Sequence, residues 1–466
     1  MKRRRMLALL GTTVGAAAGG MILGREFLLP PAPSAVLRPP RDLSIALFES
    51  LEGESRRRAC VPFDHPLRQY HNRGVRGGGL PISAATLSRE QRSILTDLLH
   101  AGLSAAGRER VPNQFYLSWP GVHLMNLLIC GDPRTASWQV ILSGAHLMLR
   151  LGGAGSEGVA FGGPIIYGDQ RGDFSPGLPR NVYRYQYEAA GRLLESLDAG
   201  QRSAAILPRA PIQTRIELQG GAGEPPGVAV ASLPRRSRAI TEEIVDGILS
   251  TWPDEDVAYS RRCLEANGGI DALHASWYEE SEDGGCGDHQ IFRLEGAAAV
   301  FYFRGWPHVH AFVNIGMDGD RPLSVGEVVG ENPALLEGAA VRRLFEAAMK
   351  EQAGSDFAFY GEQSVVGRLR PGTIRTGDIY TLESWQDSVT VVELKGSGMS
   401  GLLLDRLRHE GHSPDPRATF TVAVAGFVEE EPAASAMGRV RSRRGGAMLR
   451  EAAIAYLKAR GFASLA

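Results

Sequence analysis

Two long stretches of this 466-residue chain, Trp138 to Leu151 and Ile291 to Ile315, are almost continuously apolar and rich in β-branched and aromatic residues. Such runs predict strands. Gln114 to Leu117 and Gly121 to Ile129 carry a shorter version of the same signal. Elsewhere the apolar spacing becomes helical. Ile94, Leu95, Leu98 and Leu99 make one face of a helix that starts at Ser88. The segment Leu87-Ser88-Arg89-Glu90-Gln91-Arg92-Ser93 returns as Leu197-Asp198-Ala199-Gly200-Gln201-Arg202-Ser203. In each copy a cap residue stands three positions before a glutamine, the spacing at which two backbone N–H groups are satisfied reciprocally. Further helices are expected near Ser44–Arg58, Thr241–Ser250, Asp254–Asn267, Gly338–Gln352, Met399–His409 and Ala447–Arg460, the last stopped by Gly461. Strands are expected between Phe357 and Leu394 and at Thr419–Val424. Gly- and Pro-rich sequence from Gly152 to Pro179, and the stretch Pro208 to Gly227, predict loops.

This mixture gives an α+β fold class, and the length suggests roughly two or three domains. The organisation expected is an export signal or anchor over residues 1–29, a Pro-rich linker over 30–41, a first mixed α/β domain over 42–320 and a second over 321–466. Lysines and arginines number 51 against 52 acidic residues, with neither sign in a long block beyond the first few positions. Nucleic-acid binding therefore has no electrostatic support. The four cysteines, Cys60, Cys130, Cys263 and Cys286, lack any zinc-knuckle or Cys-x-x-Cys spacing. Disulfides and buried free thiols both fit them.

At the N-terminus, Lys2-Arg3-Arg4-Arg5 precedes an apolar run from Met6 to Gly24, and Pro30-Pro31 follows. The arrangement resembles a twin-arginine export signal, without its usual Phe and Lys. It implies passage through the twin-arginine export machinery to a periplasmic or other extracytoplasmic location. A run of about 19 residues also approaches the roughly 20 that span a bilayer, so a retained N-terminal membrane anchor stays open beside cleavage.

Candidate chemistry concentrates in two strings, Gly144-Ala145-His146-Leu147 and Pro307-His308-Val309-His310. On a strand, residues two apart share a face, so His308 and His310 stand side by side with Val309 opposite. With His146 they could present three imidazoles to one divalent metal, zinc or copper, leaving a position open for water or substrate. That requires ring nitrogens within about 3 to 4 Å of one another, since zinc ligands sit at roughly 2.0 to 2.1 Å. Hydrogen-bonded histidines in a polar core are the competing reading. His123 could add a fourth ligand, and Glu279, Glu280, Asp288 or Asp318 could serve as acid or base, although no spacing selects among them; the catalytic residues stay unassigned. Gly153 to Gly158 fits Gly-x-Gly-x-x-Gly, but Val159-Ala160-Phe161-Gly162-Gly163-Pro164 cannot continue as the helix a dinucleotide site needs. No nucleotide cofactor is expected. His409-Glu410-Gly411-His412 lacks the His-Glu-x-x-His spacing and reads better as cations ending a helix.

On these strings, residues 42 to 320 resemble a bacterial family, domain of unknown function 3500. The shared features are the Leu-x-x-x-Gln-Arg helix starts, Trp138 leading into Ser143-Gly144-Ala145-His146-Leu147, Phe161-Gly162-Gly163-Pro164, and His308-Val309-His310. The family's first string usually reads Gly-His-His-Leu, and Ala145 replaces its first histidine here. Asn314, Ile315 and Asp318 stand where the family places an arginine and an acidic-aromatic turn. Residues 321 to 466 resemble the 5'-nucleotidase C-terminal domain through Pro371 to Tyr380, Val389 to Gly396 and the closing helix Leu449 to Gly461. The phosphate loop of that family, Gly-Gly-Ile-Arg, reads Gly361-Glu362-Gln363-Ser364 here, and Glu429-Glu430-Glu431 adds like charge that would repel phosphate. The resemblance thus implies the fold of that domain with degenerate ligand loops.

The resulting expectation is an exported metal-dependent enzyme, hydrolase or oxidoreductase, acting on an unidentified small-molecule substrate. A non-catalytic binding or scaffold protein of the cell envelope is the alternative.

Overall fold

The computed structural model describes residues 33–70, 78–118, 125–144, 146–152, 158–169, 181–221, 223–281, 290–305, 308–361, 364–383, 386–426 and 438–462. The expected export signal, His123, Ala145, Cys286, Asp288 and most of the two nucleotidase-type ligand loops lie outside them. Two compact units divide the chain, residues 12–323 and 324–466 apart from the first eleven residues. The fold class is α+β, with helices and mixed sheets in both units.

Twelve strands form the sheet of the first unit. They are β1 (Cys60–Val61), β2 (Leu80–Pro81), β3 (Asn126–Gly131), β4 (Trp138–Ser143), β5 (Leu147–Leu151), β6 (Ile165–Asp169), β7 (Ile206–Arg209), β8 (Val228–Ala229), β9 (His274–Glu280), β10 (Ile291–Gly296), β11 (Ala299–Arg304) and β12 (Val309–Ile315). Their order is β1-β3-β4-β5-β6-β12-β11-β10-β9-β7, with β2 on β3 and β8 on β9. Two antiparallel meanders, β3 to β6 and β9 to β12, therefore meet at β6 and β12. This seam decides the site, because it lays the start of β12 beside the strand that pairs with β5. Its register places His310 opposite Gly168 and Val309 opposite Asp169.

Both faces of the sheet are buried, which is why its strands read as continuous apolar runs rather than as alternation. Val309, Ala311, Val313 and Ile315 enter one core, with Leu193, Ile244, Ile248 and Trp252 of the helical layer. Phe312 enters a second core on the opposite face, with Ile141, Met148, Ile166, Tyr302 and Ile216, where Phe63 and Leu67 pack at the edge. The irregular segment from Ala210 to Leu218 thus serves as part of the cover of this face.

Several expectations are corrected. Trp138–Leu151 is a hairpin, not one strand: Ser143 pairs with Met148 and Val140 with Leu151, and the Gly144 N–H donates to Leu147 O across the turn at 2.7 Å. His146 therefore sits in a turn. A turn inside an apolar run is hard to see when both flanks are buried and only a glycine marks it. Gln114–Leu117 belongs to the helix Ala105–Ser118, a short apolar run compatible with either period. The helix expected over Ser44–Arg58 is two, Pro40–Ser50 and Gly53–Ala59, separated at Leu51 and Glu52, both of extended conformation. Strand β6 lies within the stretch read as loop. Both capping boxes form, at Ser88 with Gln91 and at Asp198 with Gln201.

In the second unit the strands are β13 (Val328–Asn332), β14 (Leu336–Glu337), β15 (Phe357–Phe359), β16 (Arg368–Leu369), β17 (Gly372–Arg375), β18 (Ser388–Met399), β19 (Thr419–Ala425) and β20 (Gly438–Met448). Four of them make a sheet in the order β15-β19-β18-β20, and β13-β17 and β14-β16 form two short ladders. The helix Ala339–Ala353 packs against the helix Leu449–Arg460, which ends at Gly461 with φ +68°. Buried Glu346 ties this unit together, accepting from Arg406 Nη1 at 2.9 Å, from the Tyr360 N–H at 2.9 Å and from Arg342 Nη1 at 3.1 Å. The helix Thr376–Leu382 and strand β20 were not anticipated. Among the described residues no helix is long and apolar enough to cross a membrane.

Candidate metal centre

The β6–β12 seam brings His146, from the turn before β5, to His308 and His310 at the start of β12. One ring nitrogen from each lies within 4.8 Å of the others. The rings stand edge to face, with centroids 4.9 Å apart for His146 and His310, 5.1 Å for His146 and His308, and 4.6 Å for His308 and His310. The Nε2 atoms of His308 and His310 are 2.9 Å apart. That pair is slightly closer than the roughly 3 to 4 Å expected of two ligands on one ion, whereas the set as a whole is wider. Two nitrogens at about 2.1 Å from one ion can be separated by at most about 4.2 Å, so the rings would have to close by a fraction of an ångström.

Glycine at 168 makes the close approach feasible. A Cβ there would stand 2.3 Å from the Val309 carbonyl oxygen and 3.2 Å from Cδ2 of the His146 ring. We expect Gly168→Ala to destabilise the unit by about 1–3 kcal/mol through overpacking and to displace His146. Urea unfolding checks the first effect. Metal binding by the folded variant checks the second.

Hydrogen bonding sets the state of His310. Its Nδ1 is 2.9 Å from Gln213 Oε1 and 2.9 Å from Arg304 Nη2. Nδ1 can donate to the glutamine or accept from the arginine, but one tautomer cannot do both. If Arg304 donates, Nε2 carries the proton and donates to His308 Nε2. If Nδ1–H donates to Gln213, Nε2 of His310 presents a lone pair, which can accept from Nε2–H of His308 or ligate a cation. Only the tautomer with the proton on Nδ1 leaves Nε2 of His310 able to ligate a metal.

Burial dominates the electrostatics. It lowers the pKa of His146 to about 4, with Asp169 opposing and Arg304 adding to the shift. His308 and His310 are held well below the ordinary imidazole value by burial first, with His146 and then Arg304 adding for His308, and Arg304 and then the neighbouring rings for His310. All three imidazoles are therefore neutral near pH 7, the form that ligates metal. His308 is the most solvent-exposed of the three.

Of the other residues considered, Glu279, Glu280 and Asp318 are exposed and outside the cluster. Cys60, Cys130 and Cys263 are free thiols, the last two buried. His409 ends the helix Gly401–His409 among Arg406 and Arg408, as cations at a C-terminus should. Arg304, Gln213 and Gly168 escaped the sequence analysis because none has a fixed spacing from a histidine. Only the seam between strands brings them together.

Comparison with known proteins places the first unit. The family model described as "Protein of unknown function (DUF3500)" matches residues 41–314, more than half of the chain, and the protein belongs to that family. A second model, the 5'-nucleotidase C-terminal domain, matches residues 329–452. No curated protein matches the chain. Among solved structures, a 5'-nucleotidase precursor from Thermus thermophilus is 15% identical over 40% of this chain and 51% of its own, with a TM-score of 0.26. A putative 5'-nucleotidase from Staphylococcus aureus, in complex with alpha-ketoglutarate, is 9% identical over 38% of this chain and 49% of its own, with a TM-score of 0.23. The chain thus spans about half the length of these two structures.

Proposed function

We propose that His146, His308 and His310 hold one divalent metal, zinc or copper, and that the unit carrying them is a metal-dependent enzyme, a hydrolase or an oxidoreductase, acting outside the cytoplasm. The observation that carries this reading is the convergence of three neutral, largely buried imidazoles, two of them with Nε2 atoms 2.9 Å apart. Imidazole suits both metals, and three protein ligands leave a position for water or substrate. A metal in such a site either acidifies bound water or supports oxidation. The chain's own contribution is to keep the rings neutral, to fix the His310 tautomer through Gln213, and to surround the centre with packed sheet. Export rests on the Lys2-Arg3-Arg4-Arg5 head and the apolar run behind it. Residues 321–466 then form a partner domain with degenerate nucleotide loops.

The test is metal analysis of the full chain purified after export, beside a variant with all three histidines changed to alanine. One equivalent of zinc or copper, lost in the variant, is the expected result. Metal-free protein whose stability the triple substitution leaves unchanged would abandon the enzyme in favour of a non-catalytic scaffold.

A further inference from the structure

Residues Ala210 to Gly221 form an irregular strap across the face of the sheet that carries His310. Backbone bonds tie its two ends to the sheet, from the Ala210 N–H to Glu280 O at 2.8 Å and from the Gly220 N–H to Ala297 O at 2.7 Å. Between them, Arg293 Nη1 donates to Arg215 O at 3.0 Å and Asn314 Nδ2 to Ile216 O at 2.9 Å. Gln213, 6% exposed, brings the strap to the histidine cluster, with Oε1 2.9 Å from His310 Nδ1. Arg304 Nη2, from strand β11, approaches the same nitrogen at the same distance. One ring nitrogen thus faces a group that can only donate and an oxygen that can only accept.

Metal loading decides between them. Without an ion, both tautomers of His310 find partners, and the charge-assisted bond from Arg304 is the stronger of the two at Nδ1. That bond places the proton on Nε2, where it can be donated to Nε2 of His308, and leaves Gln213 Oε1 opposite a lone pair. An ion held through Nε2 of His310 forces the proton to Nδ1. The ring neither gains nor loses a proton; it changes nitrogens. The N–H of a ligated imidazole then donates to Gln213 Oε1, the outer contact that metal-bound histidines ordinarily make and that fixes their orientation. Nδ1 lies on the far side of the ring from the ion, so this contact needs no space at the metal itself.

We infer, resting on the metal reading, that Gln213 is a positioning residue for His310 and that metal loading tightens the strap through it. The linkage is reciprocal: whatever holds Gln213 in place raises metal affinity, and the ion in turn holds the strap closed. Release of the metal returns Nδ1 to Arg304 and loosens the middle of the strap, between its two backbone ties. The cover of the centre is thereby sensitive to its occupancy.

The experiment titrates the full-length protein with zinc and follows hydrogen exchange in the peptide covering the strap, with the helix Pro40–Ser50 as an internal reference. In the wild type, zinc should slow exchange in the strap about 10-fold and leave the helix close to its metal-free rate. Gln213→Leu should bind zinc about 10- to 100-fold more weakly, and saturating zinc should no longer slow its strap. Gln213→Glu, whose carboxylate accepts the same proton, should restore both effects, which a packing role for the side chain would not. Wild-type protein that binds zinc without slowing confined to the strap overturns the inference with no variant needed. A Gln213→Leu protein that keeps wild-type affinity or wild-type protection overturns it as well. Failure of the wild type to bind zinc at all is a separate result, which removes the metal reading and this inference with it.

Discussion

Acidifying the metal-free protein from pH 7 toward pH 4 should lower its folding stability steeply, and the three histidines should account for the slope. His146 has a folded pKa of about 4 against an ordinary value of 6.5. Between those values the unfolded chain takes up a proton that the folded chain refuses, so stability rises with pH across the window and is lost as pH falls through it. The full gap is worth roughly 3 kcal/mol for this one ring, at 1.36 kcal/mol per pKa unit. His308 and His310 are shifted in the same direction by burial and neighbouring positive or ring groups, so they add to the loss. Urea midpoints measured at steps between pH 7 and pH 4 should drop in the wild type and stay much flatter in a His146→Gln, His308→Gln, His310→Gln variant. Zinc should move the wild-type transition to lower pH, because the ion and protons compete for the same lone pairs. Parallel pH profiles in the two proteins would mean that the cluster is not the titrating element.

How much of this arrangement is legible in the sequence depends on whether the information is local. Caps are local: Ser88 with Gln91 and Asp198 with Gln201 form the boxes that their spacing suggests. The pair His308 and His310 is nearly local, since strand periodicity alone puts them on one face. His146 is different. Its place beside them follows from strand β6 sitting between β5 and β12, and β6 lies in a glycine- and proline-rich stretch that masks its short apolar core, Ile165 to Tyr167. Gly168 in that strand leaves room for the His146 ring, yet a glycine in such a stretch carries no visible distinction from its neighbours. Arg304 reads in sequence as the polar end of an apolar strand. Its contact with Nδ1 of His310 depends on β11 pairing with β12, and that pairing is invisible without the fold. The second unit shows the same division. Its closing helix and Gly461 are plain, whereas β20, with four arginines and three glycines among Gly438–Met448, lacks the apolar pattern of a strand and pairs because β18 offers it an edge.

The largest loss of stability from a single substitution outside the histidines is expected at Arg150. This residue is 3% exposed, and its Nε donates to Pro164 O at 2.8 Å. Nη1 donates to Arg68 O at 2.7 Å and to Gln139 Oε1 at 3.1 Å, and Nη2 to Tyr70 O at 3.2 Å. Burial pulls its pKa down to about 9, so it is still charged at pH 7. Four oxygens from three separate chain segments converge on one rigid fork, and backbone carbonyls buried this deeply have no water to fall back on. Arg150→Met fills much of the volume but removes every donor at once. Each stranded acceptor costs about 1–3 kcal/mol, partly relieved by relaxation, so the net expectation is a loss of about 3–5 kcal/mol. Arg150→Lys should recover little, because an ammonium cannot reach acceptors distributed around a planar group. Chemical unfolding measures the loss, and Arg209→Met, at an exposed arginine, provides the control. Arg150 also fastens the Arg68–Tyr70 segment to β5, at the far end of the strand from His146. A local opening there should free the edge of the second face, so limited proteolysis near residues 61–70 should accelerate in Arg150→Met before global unfolding. Resistance equal to wild type, together with a stability change below about 1 kcal/mol, would show that these carbonyls find other donors and that the arginine is not what anchors the segment.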